Sequence, residues 1–99
     1  MDYGNPTSYL ALEQGTDVIS SDGDRVGRVE HVLADPDSDI FDGLVIDVES
    51  GPGGLHFVDS EQVDELYERG CVLNVPAADI ESLPKPAPSP AVARNTARG

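Results

Sequence analysis

Apolar residues occur along this chain in short runs that are separated by glycine, proline and aspartate. The clearest example joins residues 17–20 and 25–34 through Asp22 and Gly23, and it predicts a strand, a tight turn and a second strand, because Gly23 can adopt a positive φ. The valines of residues 25–34 also fit one face of a helix. Gly27 and the β-branched side chains favour a strand, with a bulge or a close backbone approach at Gly27.

The remaining pattern predicts further short strands and one helical turn. Residues 43–49 alternate strictly, with Leu44 and Ile46 on one face and Val45 and Asp47 on the other. Residues 35–42 are predicted to be an acidic loop that does not join a ladder, and a turn is predicted over 50–54. Further strands or short elements are expected at 55–58, 63–67 and 71–75, and a helical turn at 77–83. The fold class is therefore mainly β, a small, partly open antiparallel β-barrel with one short C-terminal helical turn.

Composition divides the 99 residues into three segments. Residues 1–9 are expected to form a flexible leader, and residues 10–84 the barrel domain. Residues 85–99 are expected to be a disordered, proline-rich basic tail, because alternate prolines favour polyproline II and few apolar side chains are present to fold it. A barrel of this size has a small core, so we hypothesise a homodimer formed through exposed strand edges.

Charge is strongly uneven along the chain. The net charge is -13, from nineteen acidic and six basic residues; residues 1–83 carry -16 and residues 84–99 carry +3. Such an acidic body repels phosphate backbones and anionic lipid, so we predict no nucleic-acid binding and a protein partner with a basic surface. We expect neither a secretory leader nor a transmembrane segment, because the first residues are polar and no long apolar run occurs, and we therefore predict a cytoplasmic protein without membrane insertion. The excess of arginine over lysine is typical of a high-GC bacterial genome.

The opening hairpin resembles that of PRC-barrel domains, a family named for the barrel of the photosynthetic reaction-centre H subunit. Three later segments are similar to the same family: residues 43–48, residues 57–63 and the closing residues 71–84, although Asp59 replaces a usual proline. The resemblance covers about residues 15–84. It implies a non-catalytic module that acts in assembly through protein contacts, and it supplies no catalytic or cofactor-binding residue. The matching positions of the hairpin are Gly15, Val18, Asp22, Gly23, Val26, Gly27, Val29 and Val32.

The acidic segment also suggests a cation site. Asp35, Asp37 and Asp39 alternate as the ligands of an EF-hand loop do, and Asp42 could assist them. The pattern departs from the EF-hand because Ile40 replaces the required glycine and Ile46 the bidentate glutamate. We interpret the segment as a solvated loop and keep the four aspartates as weak metal candidates. Phe41, isolated among acids, is the candidate interaction residue, either exposed as a contact anchor or folded back onto the barrel.

No set of residues in the sequence has the spacing of a catalytic site. His31, His56 and Cys71 could converge on a zinc ion, but the interpretation we prefer is two histidines in the barrel wall and one buried thiol. The sequence therefore predicts a non-enzymatic adaptor or assembly module with no cofactor. The alternative is a small-ligand or metal-binding protein that uses the barrel mouth or residues 35–42.

Overall fold

The computed structural model describes residues 3–35, 37–38, 40–49 and 53–86 and is mainly β. Three short 3-10 helices accompany the strands: η1 (Tyr9–Ala11), η2 (Ser60–Gln62) and η3 (Ala77–Ser82). The six strands are β1 (Asp17–Ile19), β2 (Arg25–Asp35), β3 (Ile40–Val48), β4 (Gly54–Asp59), β5 (Val63–Tyr67) and β6 (Gly70–Leu73).

The strands form one sheet in the order β4-β3-β2-β1-β6-β5. All neighbouring strands are antiparallel except β1 and β6, which are parallel. The two edge strands, β4 and β5, follow each other in the sequence and are joined by η2, and the described ladders do not close between them. The sheet is therefore a partly open barrel, as the sequence predicts, with one parallel pair added.

The opening hairpin has the predicted strand–turn–strand form. Gly23 has a φ of 90°, and the buried Ser20 hydroxyl accepts hydrogen bonds from the backbone N–H groups of Asp22 (3.2 Å) and Asp24 (3.3 Å). The predicted close backbone approach at Gly27 is confirmed, since a Cβ there would collide with the Asp47 carbonyl oxygen. The only side chain that fits between β2 and β3 at this point is hydrogen.

The predicted loop at residues 35–42 is wrong in its bounds. β2 continues to Asp35 and β3 begins at Ile40, and the two residues are paired across the ladder. Ala34 pairs with Phe41 after a register shift. The composition is that of a loop, but β2 and β3 pair along most of their length and extend the ladder to Ile40, so the connection is shortened to residues 36–39.

Side chains from the inner face of the sheet and from the segment that follows it form one apolar core. Ile80 of η3 is fully buried in it and Leu83 is 7% exposed, so the predicted C-terminal helical turn is confirmed as a 3-10 helix that packs on the barrel. The core side chains are Val18, Val26, Val29, Leu44, Ile46, Val48, Val58, Cys71, Leu73, Val75, Ile80 and Leu83.

Both edges of the sheet have partners from the same chain. On β4, the Phe57 N–H donates to the Pro84 carbonyl at 2.7 Å. At the β5 end, residues 3–7 run alongside residues 66–69, with Thr7 N–H donating to the Leu66 carbonyl at 2.9 Å and Arg69 N–H to the Tyr3 carbonyl at 2.8 Å. Residues 87–99, most of the predicted tail, lie outside the described residues.

Candidate interaction surface

The acidic metal candidates that the structure describes lie near the end of the β2–β3 hairpin. Asp35 ends β2 and Asp42 lies in β3, while Asp39 is outside the described residues. The Asp35 carboxylate accepts hydrogen bonds from the Asp37 N–H (3.1 Å) and the Ser38 hydroxyl (2.9 Å), which is how an aspartate stabilises a turn. Among the residues that the structure describes, no three His, Cys, Asp or Glu side chains are placed to hold a metal ion together.

Phe41 is half-buried and folds back onto the barrel. Its ring stacks on Tyr9, with centroids 5.0 Å apart and planes 9° apart, and it packs against the apolar core. Successive side chains of a strand point to opposite faces, so the preceding residue, Ile40, points away from the core. Ile40 is 52% exposed. The sequence analysis named Phe41 as the candidate interaction residue, but in the structure the exposed apolar side chain in this part of β3 is that of Ile40.

The two histidines and the cysteine have separate environments. His56 is buried opposite Ile46 on the inner face of the sheet, and its Nδ1 lies 2.8 Å from the Leu83 carbonyl oxygen, so it holds the end of η3. His31 is exposed. Burial raises the pKa of the Cys71 thiol to about 12, which leaves it protonated and unreactive at neutral pH.

A second row of apolar side chains lies on the side of the sheet opposite to the core. We define the outer face by the outward residues of β2, β3 and β4. At its centre Val45 lies between His31 and Phe57, and only 2% of it is exposed although it is not part of the core cluster. A Cβ at Gly43 would lie 3.0 Å from the Phe57 ring, so that ring covers the glycine. Ile40, at 52%, and Leu55, at 45%, are exposed.

Carboxylates lie beside this apolar row on the outer face. Asp35 is opposite Ile40, Asp47 is opposite Leu55, and Asp59 is opposite Gly43. The outer face therefore combines exposed apolar side chains with acidic neighbours. Alternation in β4 places Leu55 and Phe57 on one face, which the sequence shows, but alternation alone does not reveal that this face is the outer one.

Three ion pairs lie at the start of β2. Arg25 contacts Asp17 and Glu49, both at 2.8 Å, and Arg28 contacts Glu49 at 2.7 Å. The hydrogen bond from Arg25 is the main reason that the pKa of Glu49 is lowered. These contacts link β2 to the first residue of β1 and to the residue after β3.

The rest of the described surface is dominated by acidic side chains. All described Asp and Glu residues are exposed except Asp17, Glu30 and Asp47, which are half-buried. Within the same part of the chain, no helix is long and apolar enough to cross a bilayer.

The open, six-stranded sheet with its apolar interior defines a small β-barrel domain. The sequence pattern of the PRC-barrel domain family matches residues 9–78, which is most of the chain. The protein therefore belongs to the PRC-barrel domain family, and the resemblance of the opening hairpin is confirmed. PRC-barrel domains are generally non-catalytic modules of protein interaction. A search of the curated proteins found no match.

Proposed function

We propose that this protein is a non-enzymatic adaptor or assembly module that binds a partner protein with a basic surface. The observation that carries the proposal is the excess of exposed carboxylates over cations. Of the arginines in the barrel, Arg25 and Arg28 are already paired with Asp17 and Glu49. The remaining acidic side chains create a negative potential that accelerates association with a positively charged partner.

The environments of the reactive side chain types support a binding role. Cys71 is buried with a raised pKa, and His56 is buried with its Nδ1 at the Leu83 carbonyl oxygen. Cys71 packs in the core, and His56 contacts the residue that caps the end of η3. Apolar side chains fill the interior, which leaves the surface as the part of the molecule available to a partner.

The proposal is tested by capture followed by a measurement of salt dependence. The full-length chain is immobilised, bound proteins from the native cell are identified by mass spectrometry, and the most enriched one is purified. Its Kd is then measured by calorimetry at about 50 mM and about 300 mM salt. We expect a partner with a basic surface whose binding weakens about tenfold at the higher salt, mostly through a slower association.

Two results would contradict the proposal. One is that no protein is enriched over a bait of similar charge that lacks the barrel. The other is that the enriched partner binds equally well at both salt concentrations. A homodimer through strand edges is measured separately by light scattering; it would have to displace Pro84 from β4 or residues 3–7 from the β5 end.

A further inference from the structure

We propose that the outer face of β2, β3 and β4 is the docking surface, and that it binds a partner segment in which large apolar side chains are flanked by lysine or arginine. This inference rests on the proposed function, because it names the surface and the chemistry of the partner segment that the adaptor would use.

The apolar part of the argument comes from the register of the strands. Val45, Phe57 and Leu55 point away from the core on adjacent strands, and Ile40 extends the row toward the hairpin end. A small barrel needs apolar side chains only on its inner face, since the outer face is normally solvated. Ile40 and Leu55 are two of the three large apolar residues with the most exposure in the described chain, and both lie on this one face.

The aspartates on the outer face indicate the charge of the partner segment. Asp35 and Asp47 lie opposite Ile40 and Leu55, and Asp59 lies opposite Gly43, the glycine that the Phe57 ring covers. Arg28 also lies opposite Asp47, but its guanidinium is 2.7 Å from Glu49 and is neutralised there. An incoming apolar side chain therefore meets a row bordered by carboxylates, and cationic neighbours on the same segment would complement them.

The same charges disfavour two other occupants. A second copy of the chain would bring its own aspartates against these, and each copy has a net charge of -13. The chain's own residues 87–99 supply arginines, but their largest aliphatic side chain is Val92. They provide little to fill an apolar row that ends in Ile40 and Leu55.

The test uses matched pairs of variants of the full-length chain. Ile40→Thr/Leu55→Thr removes the exposed apolar side chains and keeps β-branched residues in the strands. Leu10→Thr is its control, because Leu10 is 68% exposed in η1, outside this face. Asp35→Asn/Asp47→Asn removes two carboxylates from the outer face.

Asp64→Asn/Glu65→Gln is the control for that charge change, since it removes two exposed carboxylates from β5, the strand at the opposite edge of the sheet. The probe is a random dodecapeptide display library selected on the unmodified chain. The most enriched sequence is then synthesised and titrated against each variant by fluorescence anisotropy.

We expect enriched peptides to combine Leu, Ile, Phe or Trp with Lys or Arg. The Ile40→Thr/Leu55→Thr variant should bind at least about tenfold more weakly, because it truncates both of the exposed apolar side chains that would anchor the peptide. Leu10→Thr should bind nearly as the unmodified chain, because Leu10 lies outside the outer face. Asp35→Asn/Asp47→Asn should weaken binding and reduce its salt dependence more than Asp64→Asn/Glu65→Gln does.

Several results would overturn the inference. These are no enriched peptide, enriched peptides without the apolar and basic combination, or equal binding by Ile40→Thr/Leu55→Thr. If that variant does not fold, methyl NMR of the unmodified chain decides, since the Ile40 and Leu55 methyl signals must shift when peptide is added. A shift of those signals on deletion of residues 87–99, or on dilution, would assign the face to the tail or to a second copy.

The captured partner separates this inference from the proposed function. If the partner binds Ile40→Thr/Leu55→Thr as well as the unmodified chain, the docking surface is wrong and the adaptor function stands. If no partner is captured at all, the proposed function itself fails.

Discussion

Replacing Ile80 with alanine should destabilise the whole barrel, although Ile80 lies in a six-residue 3-10 helix after the last strand. The side chain is 0% exposed and packs in the core. The substitution removes three carbon atoms, worth about 2.4 kcal/mol at roughly 0.8 kcal/mol per buried methylene, and the cavity left behind adds to this. We expect a loss of about 3 kcal/mol.

A loss of that size is large for this domain. A unit of about 75 residues has a free energy of unfolding of roughly 4–11 kcal/mol, and each kcal/mol shifts Tm by about 4–8 °C. Tm should therefore fall by about 12–24 °C. The chain contains no tryptophan, so urea unfolding is followed by far-UV circular dichroism. Glu81→Ala, at an exposed position of the same helix, is the control and should change stability by less than about 0.5 kcal/mol.

The reasoning would be refuted if Ile80→Ala cost under about 1 kcal/mol with an unchanged m-value. In that case η3 would be an appendage of the barrel, and the folded unit would end near the last strand. Ile80→Val should lie between, at about 1 kcal/mol, because it removes one methylene.

Four further outcomes are expected. Between about pH 9 and 12 the thiol of Cys71 ionises in the unfolded chain but stays protonated in the folded chain. Its contribution to the free energy of unfolding is therefore fully present below about pH 9 and falls by about 1.4 kcal/mol per pH unit as the pH rises toward 12. Urea titrations of Cys71→Ala should show a smaller fall over this range. The pKa of Glu49 is lowered in the folded chain, so its ionised carboxylate stabilises the fold above the ordinary pKa of 4.5, and this stabilisation is lost on acidification. In urea titrations below about pH 4.5, the free energy of unfolding of Glu49→Gln should therefore decrease less steeply with falling pH than that of the unmodified chain. Gly27→Ala should cost about 1–3 kcal/mol in a urea titration, because its Cβ meets a backbone carbonyl. Deleting residues 87–99 should leave Tm, measured by calorimetry, nearly unchanged, since the described edge contact is made at Pro84.

Local sequence patterns predicted the strands of this fold well, and the features that they did not predict depend on strand pairing. Alternation, β-branched residues and the Gly, Pro and Asp turns located five of the strands that the structure describes, and they marked the sixth, β5, only as a short element. The parallel pairing of β1 with β6 joins Val18 to Cys71, and nothing in either segment specifies that neighbour. Asp35 and Ile40 have a loop-like composition, yet they pair because the ladder between β2 and β3 carries on to them.

The candidate surface was harder to predict, since alternation shows which residues share a face but not which face is buried. In β4 the sequence offers an apolar pair, Leu55 and Phe57, against His56 and Val58. The apolar pair would be assigned to the core by composition. The structure buries His56 and Val58, because the His56 ring has an acceptor in the Leu83 carbonyl, twenty-seven residues away. Burying a polar ring is acceptable only with such a partner, and that partner is set by η3.

Strand β3 shows how stability and binding can be separated in this protein. Its inner row, Leu44 and Ile46, is fully buried in the core. Its outer row, Val45 and Asp47, lies outside the core cluster, although Val45 is also buried. If the outer face is the docking surface, truncating the inner row should lower the free energy of unfolding and leave the affinity of the remaining folded molecules intact. Truncating the exposed residues of the outer face, Ile40 and Leu55, should leave the free energy of unfolding nearly unchanged and weaken the affinity for the partner. Their apolar surface is buried only when a partner is bound.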